Sequence, residues 1–547
     1  MSKKILLLGA NERACFSVAR NLTRHGYQVD VANWGYHEIA RSRFVNAFHS
    51  LPSLEKNIQA FYSAFADLIS GNSYWIVLPV NDLAVEFLYR FKRELEKYSI
   101  IGGINEPGVI QYSQNKYALW KVCRKLGIHV PETKLVESLQ DFEDLKKSLS
   151  FPVIAKPVSS RKIIGNRIYS FTVRKFSGEE PLEDFIRERI ESIPIMLQQV
   201  VDGFGIGFNF LAHQGKLVAW YMHERINEPG GGGESSYRKT IVEDKYGITE
   251  KSRLLIETIG WHGVGMIEYK VSERKAYVME LNGRFWGSIE LGIFAGMELP
   301  YWQIKYNYED QPFPPKEITV EKEVYARNLR NDLLSCVKER SAKRMIKWMG
   351  SLPKMLRKRE CVEDSLFADF RFRISMWGSL FSKFISGRRQ ALKRKFISGP
   401  IGRHANYKDL NRILFICEGN ICRSPFAEKY LKKIRPDINV ASSGLQFQSS
   451  KMSPLKALRA AKERGVDLVS HYSSYINDLD LEKFDALFVM DKSNYQKLLK
   501  EYPKGAERVF FLDPGGPISD PFGGSENDFK VCYERISKVL DSNFIKG

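Results

Sequence analysis

Short apolar runs of strand length alternate with stretches of helical spacing along the first hundred residues. KKILLLGA ends its apolar run at Gly9, ACFSVARNLTRHGY carries helical spacing, and QVDVAN is a second strand candidate, so the chain opens β-α-β. WIVLPVND and SIIGGI repeat the pattern and predict a small parallel α/β domain ending near residue 110. From Asn115 to about Lys316 helix and strand patterns mix, and the glycine-rich EPGGGGESS at 228–236 reads as a mobile loop. After Asn411 the pattern is cleanly α/β again. The expected architecture is α/β and multidomain: an α/β domain at 1–110, a mixed domain at 111–316, a basic, aromatic helical connector at 317–408, and a doubly wound parallel-sheet domain at 409–547.

Length and composition agree with several packed domains, since 547 residues with 44% apolar side chains exceed what one core organises. No window reaches eighteen uninterrupted apolar residues, and Asn11, Glu12 and Arg13 interrupt the first run, so a cytoplasmic protein is expected. The seven cysteines (Cys15, Cys123, Cys336, Cys361, Cys417, Cys422, Cys532) lack CxxC pairing, which favours free thiols over a disulfide framework or a zinc site. The formal charge of +19 is concentrated: residues 331–410 hold 19 basic against seven acidic residues. There Trp348, Phe367, Phe370, Trp377, Phe381 and Phe384 interleave with the charges. Three readings are open for this stretch: a helical subdomain with an aromatic core, a helix lying on an anionic membrane surface, or a nucleic-acid contact, for which no module is evident.

The segment NRILFICEGNICRSPFAEKYL reads as a buried strand, a loop, and a helix starting near Ser424 and Pro425. A loop at a helix amino terminus offers unpaired N–H groups to one anion, and the helix dipole adds to the attraction. The same field favours Cys417 as a thiolate nucleophile, and the planar fork of Arg423 suits two phosphate oxygens. ICEGNICRSP, ASSG at 441–444, GVDLVSHYSS at 465–474, FVMDKSN at 488–494 and DPFGGSENDF at 520–529 together resemble the low-molecular-weight protein tyrosine phosphatases. That resemblance implies attack by Cys417 to form a phosphocysteine, with Asp520 as acid and then base, and needs no cofactor. It also implies that Gly419, Asn420, Ser424, Ser442 and His471 shape the phosphate loop, and that Cys422 can trap Cys417 as a reversible disulfide. Phe522 takes the place of an aromatic residue flanking a phosphoaryl ring, which implies phosphotyrosine as substrate. Residues 445–455, LQFQSSKMSPL, depart from the common glycine and acidic pattern.

A second signal is GVGMIEYKVSERKAYVMELNGRFWGS at 263–288. Two strands joined at SERK would bring Glu268 near Glu280 and Asn282, three oxygen donors suited to Mg²⁺, with Arg284 placed for a phosphate oxygen. With Lys116 in QNKYALW and Lys156 in FPVIAKP, this order resembles the ATP-grasp superfamily, particularly carbamoyl-phosphate-synthase-like members, over residues 3–310. The resemblance implies ATP phosphates held by Lys116 and Lys156, an adenine hinge at Gln199 and Val201, and a lid in EPGGGGESS. Gln199 stands where many members have Glu, and a ribose-binding Glu is not evident in GFGIGFNF. The activity implied is phosphorylation of a carboxylate to an acyl phosphate that an amine then attacks.

Together these resemblances imply a bifunctional enzyme, a carboxylate–amine ligase and a phosphotyrosine phosphatase. Small carboxylates and amines, a phosphotyrosine protein such as a bacterial tyrosine kinase, and the inner membrane face are the partners to consider. Surface-polysaccharide production is the setting implied by similar phosphatases. The competing expectations are a nucleotide-binding sensor that regulates the phosphatase, and a phosphatase acting on a small phosphorylated metabolite.

Overall fold

A computed structural model describes residues 3–545 except 12, 165–166, 188, 191, 229–234, 310, 333–349, 351–359, 366–368, 376–406, 408–409 and 447–451. The chain divides into two compact units: Met1–Leu135, Pro152–Lys175 and Met196–Phe384 form one, and Val136–Phe151, Phe176–Ile195 and Ile385–Gly547 the other.

The first unit opens with strands β1 (Lys4–Leu8), β2 (Gln28–Trp34), β3 (Phe48–Leu51), β4 (Ile76–Pro79) and β5 (Ile100–Ile101). They pair in parallel in the order β3-β2-β1-β4-β5, in keeping with the parallel α/β domain that the alternating pattern predicts. Ile5 to Leu8 are fully buried because helices cover both faces of β1. The turn after β1 is structural in its first residue. Gly9 has φ +88°, and an added Cβ would lie 2.5 Å from Nδ2 of Asn81. Asn11 then caps the helix Ala14–Arg24 through Oδ1, which accepts the N–H groups of Arg13 and Cys15.

Strands β6 (Thr133–Val136), β7 (Val153–Pro157), β10 (Arg174–Phe176) and β11 (Ile195–Gln199) pair in the order β10-β7-β11-β6, beside a separate hairpin of β8 (Arg161–Ile164) and β9 (Arg167–Ser170). The largest sheet holds β12 (Phe204–His213), β13 (Lys216–Asn227), β14 (Tyr237–Ile241), β15 (Gly263–Ser272), β16 (Lys275–Asn282), β17 (Ile318–Thr319), β18 (Tyr325–Arg327) and β19 (Glu360–Val362). Its order is β16-β15-β12-β13-β14-β18-β19, with β17 paired to β13. Glu273 and Arg274, at φ 47° and 66°, make the two-residue turn between β15 and β16, the left-handed pair that a tight hairpin requires.

The expected helical connector differs from the structure where it is described. β17, β18 and β19 extend the large sheet, because the edge of β14 offers unpaired backbone groups that β18 satisfies. Several basic residues of this stretch turn inward: Arg327 donates to Glu360 at 2.9 Å, and Arg373 is buried beside Phe372 and Phe16. Phe370 is exposed. Trp348, Phe367, Trp377, Phe381 and Phe384 lie outside the described residues, as do residues 229–234 of the expected lid. Among the described residues no helix is long and apolar enough to cross a membrane.

The second unit contains the parallel sheet β21-β20-β22-β23, formed by β20 (Arg412–Cys417), β21 (Asn439–Gly444), β22 (Ala486–Val489) and β23 (Val509–Phe511). Ile413 to Ile416 are fully buried, each contributing roughly 1.5–3 kcal/mol of burial. The helices Arg423–Ile434 and Glu526–Phe544 meet through stacked Phe426 and Tyr533, whose ring centroids are 3.9 Å apart. The unit also includes the helices Leu139–Lys146 and Glu179–Arg187; Asp184 accepts the N–H of Leu455 at 2.9 Å, and Glu180 lies 3.6 Å from Lys456.

Candidate functional site

Cys417 ends β20 at the point where the chain leaves the sheet, and the helix Arg423–Ile434 begins six residues later. The intervening loop folds back on the sulfur. Asn420, at φ +53°, donates its backbone N–H to Cys417 Sγ at 3.2 Å, and Ser424 Oγ lies 3.0 Å from the same atom. Asn is one of the few side chains that tolerates this backbone region. Its Nδ2 donates to Ser424 Oγ at 2.9 Å and Ser442 Oγ at 2.8 Å, and its Oδ1 accepts the N–H of Ser474 at 2.8 Å. His471 Nε2 donates to the Asn420 carbonyl at 2.8 Å. Burial pushes the His471 imidazole below its ordinary value, so the neutral ring is the form that fits. Gly419 matters by proximity, because its backbone lies 3.0 Å from where a Cβ on Gly444 would stand.

Arg423 is 1% exposed. Its Nη1 donates to Asp491 Oδ2 at 2.6 Å and to the carbonyl of Ile518 at 3.1 Å, while Nη2 donates to Asp520 Oδ2 at 2.6 Å. Burial opposes its charge, but Cys417, Asp520 and Asp491 outweigh that and hold the guanidinium above its ordinary value. Asp520 and Phe522 are solvent-accessible at the rim. Cys422 is buried, and that burial, with Asp520 and Cys417 nearby, raises its thiol well above the ordinary value. A thiol facing donors, a fixed guanidinium and an accessible carboxylic acid is a set able to accept a phosphoryl group and protonate its leaving oxygen.

In the first unit, β15 and β16 place Glu268 opposite Glu280, with a bulge between Glu268 and Tyr269. Asn282 Nδ2 donates to Glu268 Oε1 at 3.1 Å, and Glu280 lies 3.2 Å from Lys116 Nζ. Lys116, at the start of its helix, also donates to Ser160 Oγ at 2.7 Å. A small cavity of about 50 Å³ is lined by Lys116, Ser160, Arg161, Glu280, Asn282 and Arg284. Lys156 is buried and donates to Gln198 Oε1 at 3.2 Å; burial lowers its ammonium, with Glu280 opposing. Arg284, expected to be placed for a phosphate oxygen, holds both oxygens of Asp82 through its Nε and Nη2, at 2.6 and 3.0 Å. Gln199 ends β11 with an exposed side chain and a backbone N–H given to Glu132, and Val201 is buried two residues on.

Residues 412–544 match the family model for low molecular weight phosphotyrosine protein phosphatases. The chain is 30% identical over 131 residues to the low-molecular-weight protein-tyrosine-phosphatase Wzb of Escherichia coli K12, which spans 23% of this chain and 89% of that relative. The chain belongs to the low-molecular-weight protein-tyrosine-phosphatase family through its carboxy-terminal domain. The phosphatase domain is also 27% identical over 136 residues to a protein-arginine-phosphatase of Geobacillus stearothermophilus, covering 24% of this chain and 91% of that one. Residues 191–328 match the family model described as ATP-grasp in the biosynthetic pathway with Ter operon. An L-amino acid ligase from Bacillus licheniformis superposes over 55% of this chain and 74% of its own, with 17% identity and a TM-score of 0.45. Residues matching an ATP-grasp family model and residues matching a phosphatase family model therefore lie on one chain.

Sequence reasoning missed several residues of these sites. In the phosphatase domain Asp491 and Glu428 brace Arg423 and Ser442, at 2.6 Å each. FVMDKSN carried Asp491 in view, but only the approach of β22 to the loop gives it a partner. In the ATP-grasp portion Gln198, rather than its neighbour Gln199, faces Lys156, a choice that strand alternation leaves open until the register is known. Ser160, Arg161 and Asp82 had no motif to mark them.

Proposed function

We propose that this chain is a two-headed enzyme, combining phosphotyrosine hydrolysis at Cys417 with ATP-dependent carboxylate–amine ligation in the ATP-grasp portion. The convergence of Cys417, Arg423 and Asp520 on one anion cradle carries the first activity. Cys417 attacks phosphorus, Arg423 turns from its acidic partners to two phosphate oxygens, and Asp520, so released, protonates the phenolate and later takes a proton from water. The accessible aromatic ring of Phe522 supports an aryl substrate. Because relatives include both tyrosine and arginine phosphatases, phosphotyrosine and phosphoarginine peptides should be compared. Faster turnover of phosphoarginine would overturn the substrate but not the chemistry.

For the second activity, Glu268, Glu280 and Asn282 are hard oxygen donors that fit Mg²⁺, provided the Asn282 amide turns its oxygen inward from its present contact with Glu268. ATP with Mg²⁺ would supply the phosphoryl group that converts a carboxylate to an acyl phosphate. Lys116 and Arg161 line the small cavity and would hold phosphate oxygens there, and Lys156 lies buried beside Gln198. Mg·ATP with paired carboxylates and amines should release ADP, and Glu280→Gln should abolish it. ATP binding without release under any substrate pair would favour the sensor reading, which the exposed Gln199 at the hinge supports. A role in surface-polysaccharide production is a further part of the proposal; unchanged phosphotyrosine and polysaccharide in a Cys417→Ser strain would refute it.

A further inference from the structure

Asp520 stands on a loop that leads into the helix Glu526–Phe544. Its Oδ1 accepts the N–H of Phe522 at 3.3 Å, and its Oδ2 accepts from Arg423. A four-residue turn comes next. Gly524 donates its N–H to the Pro521 carbonyl at 2.9 Å, and Gly523, at φ +82°, takes the left-handed position that such a turn gives to glycine. The carbonyl of Gly524, at the end of that turn, accepts from Lys456 Nζ at 3.2 Å. In the reaction proposed above the Arg423 contact is given up, because the guanidinium moves to the phosphate. The loop itself then fixes the carboxyl, and Lys456 ties the far end of that loop.

Lys456 is held in turn by a helix from much earlier in the chain. It is the second residue of the helix Leu455–Lys462, its side chain is 19% exposed, and Glu180 Oε2 lies 3.6 Å from its Nζ. Glu180 and Asp184 are one turn apart on the helix Glu179–Arg187 and so share a face. Pro454, before the helix Leu455–Lys462, gives no side-chain cap, and Asp184 Oδ1 accepts the first N–H, that of Leu455, at 2.9 Å. A carboxylate there also complements the helix dipole. One helix face thus meets two successive residues, which fixes an orientation that a single surface ion pair would not. The helix Glu179–Arg187 lies outside residues 412–544, which match the phosphatase family model. The stretch in which the sequence leaves the family pattern, 445–455, runs up to this contact.

We propose that Lys456 is a positioning residue for the general acid and that the helix Glu179–Arg187 anchors it, so that the phosphatase site of this chain includes an element supplied from between β10 and β11. The inference rests on the reading of Asp520 as the acid. Lys456 touches no reacting atom. Its ammonium holds the Gly524 carbonyl, the turn keeps Pro521 and Phe522 in place, and the Phe522 N–H keeps the Asp520 carboxyl at the rim once Arg423 has left it. A charged donor on a carbonyl is among the stronger hydrogen bonds, so its loss is expected to register in the rate.

The test is steady-state hydrolysis by the full chain of phenyl phosphate, whose leaving group needs a proton, and of dinitrophenyl phosphate, whose leaving group does not. The quantity compared is kcat/KM, which covers the steps up to departure of the phenol. Lys456→Met should lower it about tenfold for phenyl phosphate and less than about twofold for dinitrophenyl phosphate. The second rate also shows that the variant is folded. Lys456→Arg should keep most of the phenyl phosphate rate. Glu180→Lys, which sets a like charge against Lys456, should lower phenyl phosphate hydrolysis about threefold and add nothing to Lys456→Met in the double variant. Equal losses on both substrates, no loss on either, or losses that multiply in the double variant would overturn the inference. Asp520→Asn in the same assay separates the failures. Equal losses there remove the acid reading and this inference with it, whereas a selective loss in Asp520→Asn beside an unchanged Lys456→Met removes this inference alone.

Discussion

At the scale of single residues, Asp520 and His471 carry opposite duties. Asp520 is accessible, held by Arg423 through one oxygen and by the N–H of Phe522 through the other, and its work is on the substrate. Asp520→Asn should lower kcat for phenyl phosphate by about 10²–10⁴-fold, and far less for an aryl phosphate whose phenol is acidic enough to leave unaided. Equal losses across leaving groups, measured in steady state, would show that Asp520 is not the acid. His471 is buried against the Asn420 carbonyl with its imidazole below the ordinary value. The unfolded chain therefore binds the extra proton first, and stability contributed by the neutral ring is present above the unfolded value of about 6.5 and is lost as pH falls below it. The pH dependence of urea unfolding should be shallower in His471→Gln over that acid range; an unchanged slope would contradict the assignment.

At the scale of elements, β18 and β19 make the segment beyond residue 316 part of the large sheet. Arg327 is the centre of that junction, 1% exposed, with Glu360 at 2.9 Å, Asp332 at 3.3 Å and the Tyr237 ring 4.0 Å away. Arg327→Met would leave two buried carboxylates without their guanidinium, and should cost about 3–5 kcal/mol in denaturant unfolding. The double variant with Glu360→Gln should recover part of the loss, since one of the stranded charges is then gone. A cost below about 1 kcal/mol would mean that the strand addition is marginal.

At the scale of the whole molecule, each site is assembled inside one compact unit: Cys417, Arg423 and Asp520 in the second, Lys116, Lys156, Glu268 and Glu280 in the first. Ligands should therefore act on separate unfolding transitions. Inorganic phosphate and a non-hydrolysable ATP analogue, each at about a hundred times its Kd, should each stabilise its own unit by ~2.7 kcal/mol and leave the other transition in place. Calorimetry showing both transitions rising with either ligand would mean that the units unfold together. The sequence by itself determined the parallel α/β class, the strand–loop–helix around Cys417, and the β15–β16 hairpin that sets Glu268 opposite Glu280, because those features depend on short-range spacing and on turn chemistry. Tertiary structure decided that Gln198 and not Gln199 meets Lys156, that Asp82 claims Arg284, and that Asp491 braces Arg423. It also decided that charges in a basic connector turn inward and that five arginines share one cavity. Those outcomes depend on pairing between residues far apart in the chain, and the local pattern of hydrophobic and charged positions carries no record of which distant strand will supply the partner.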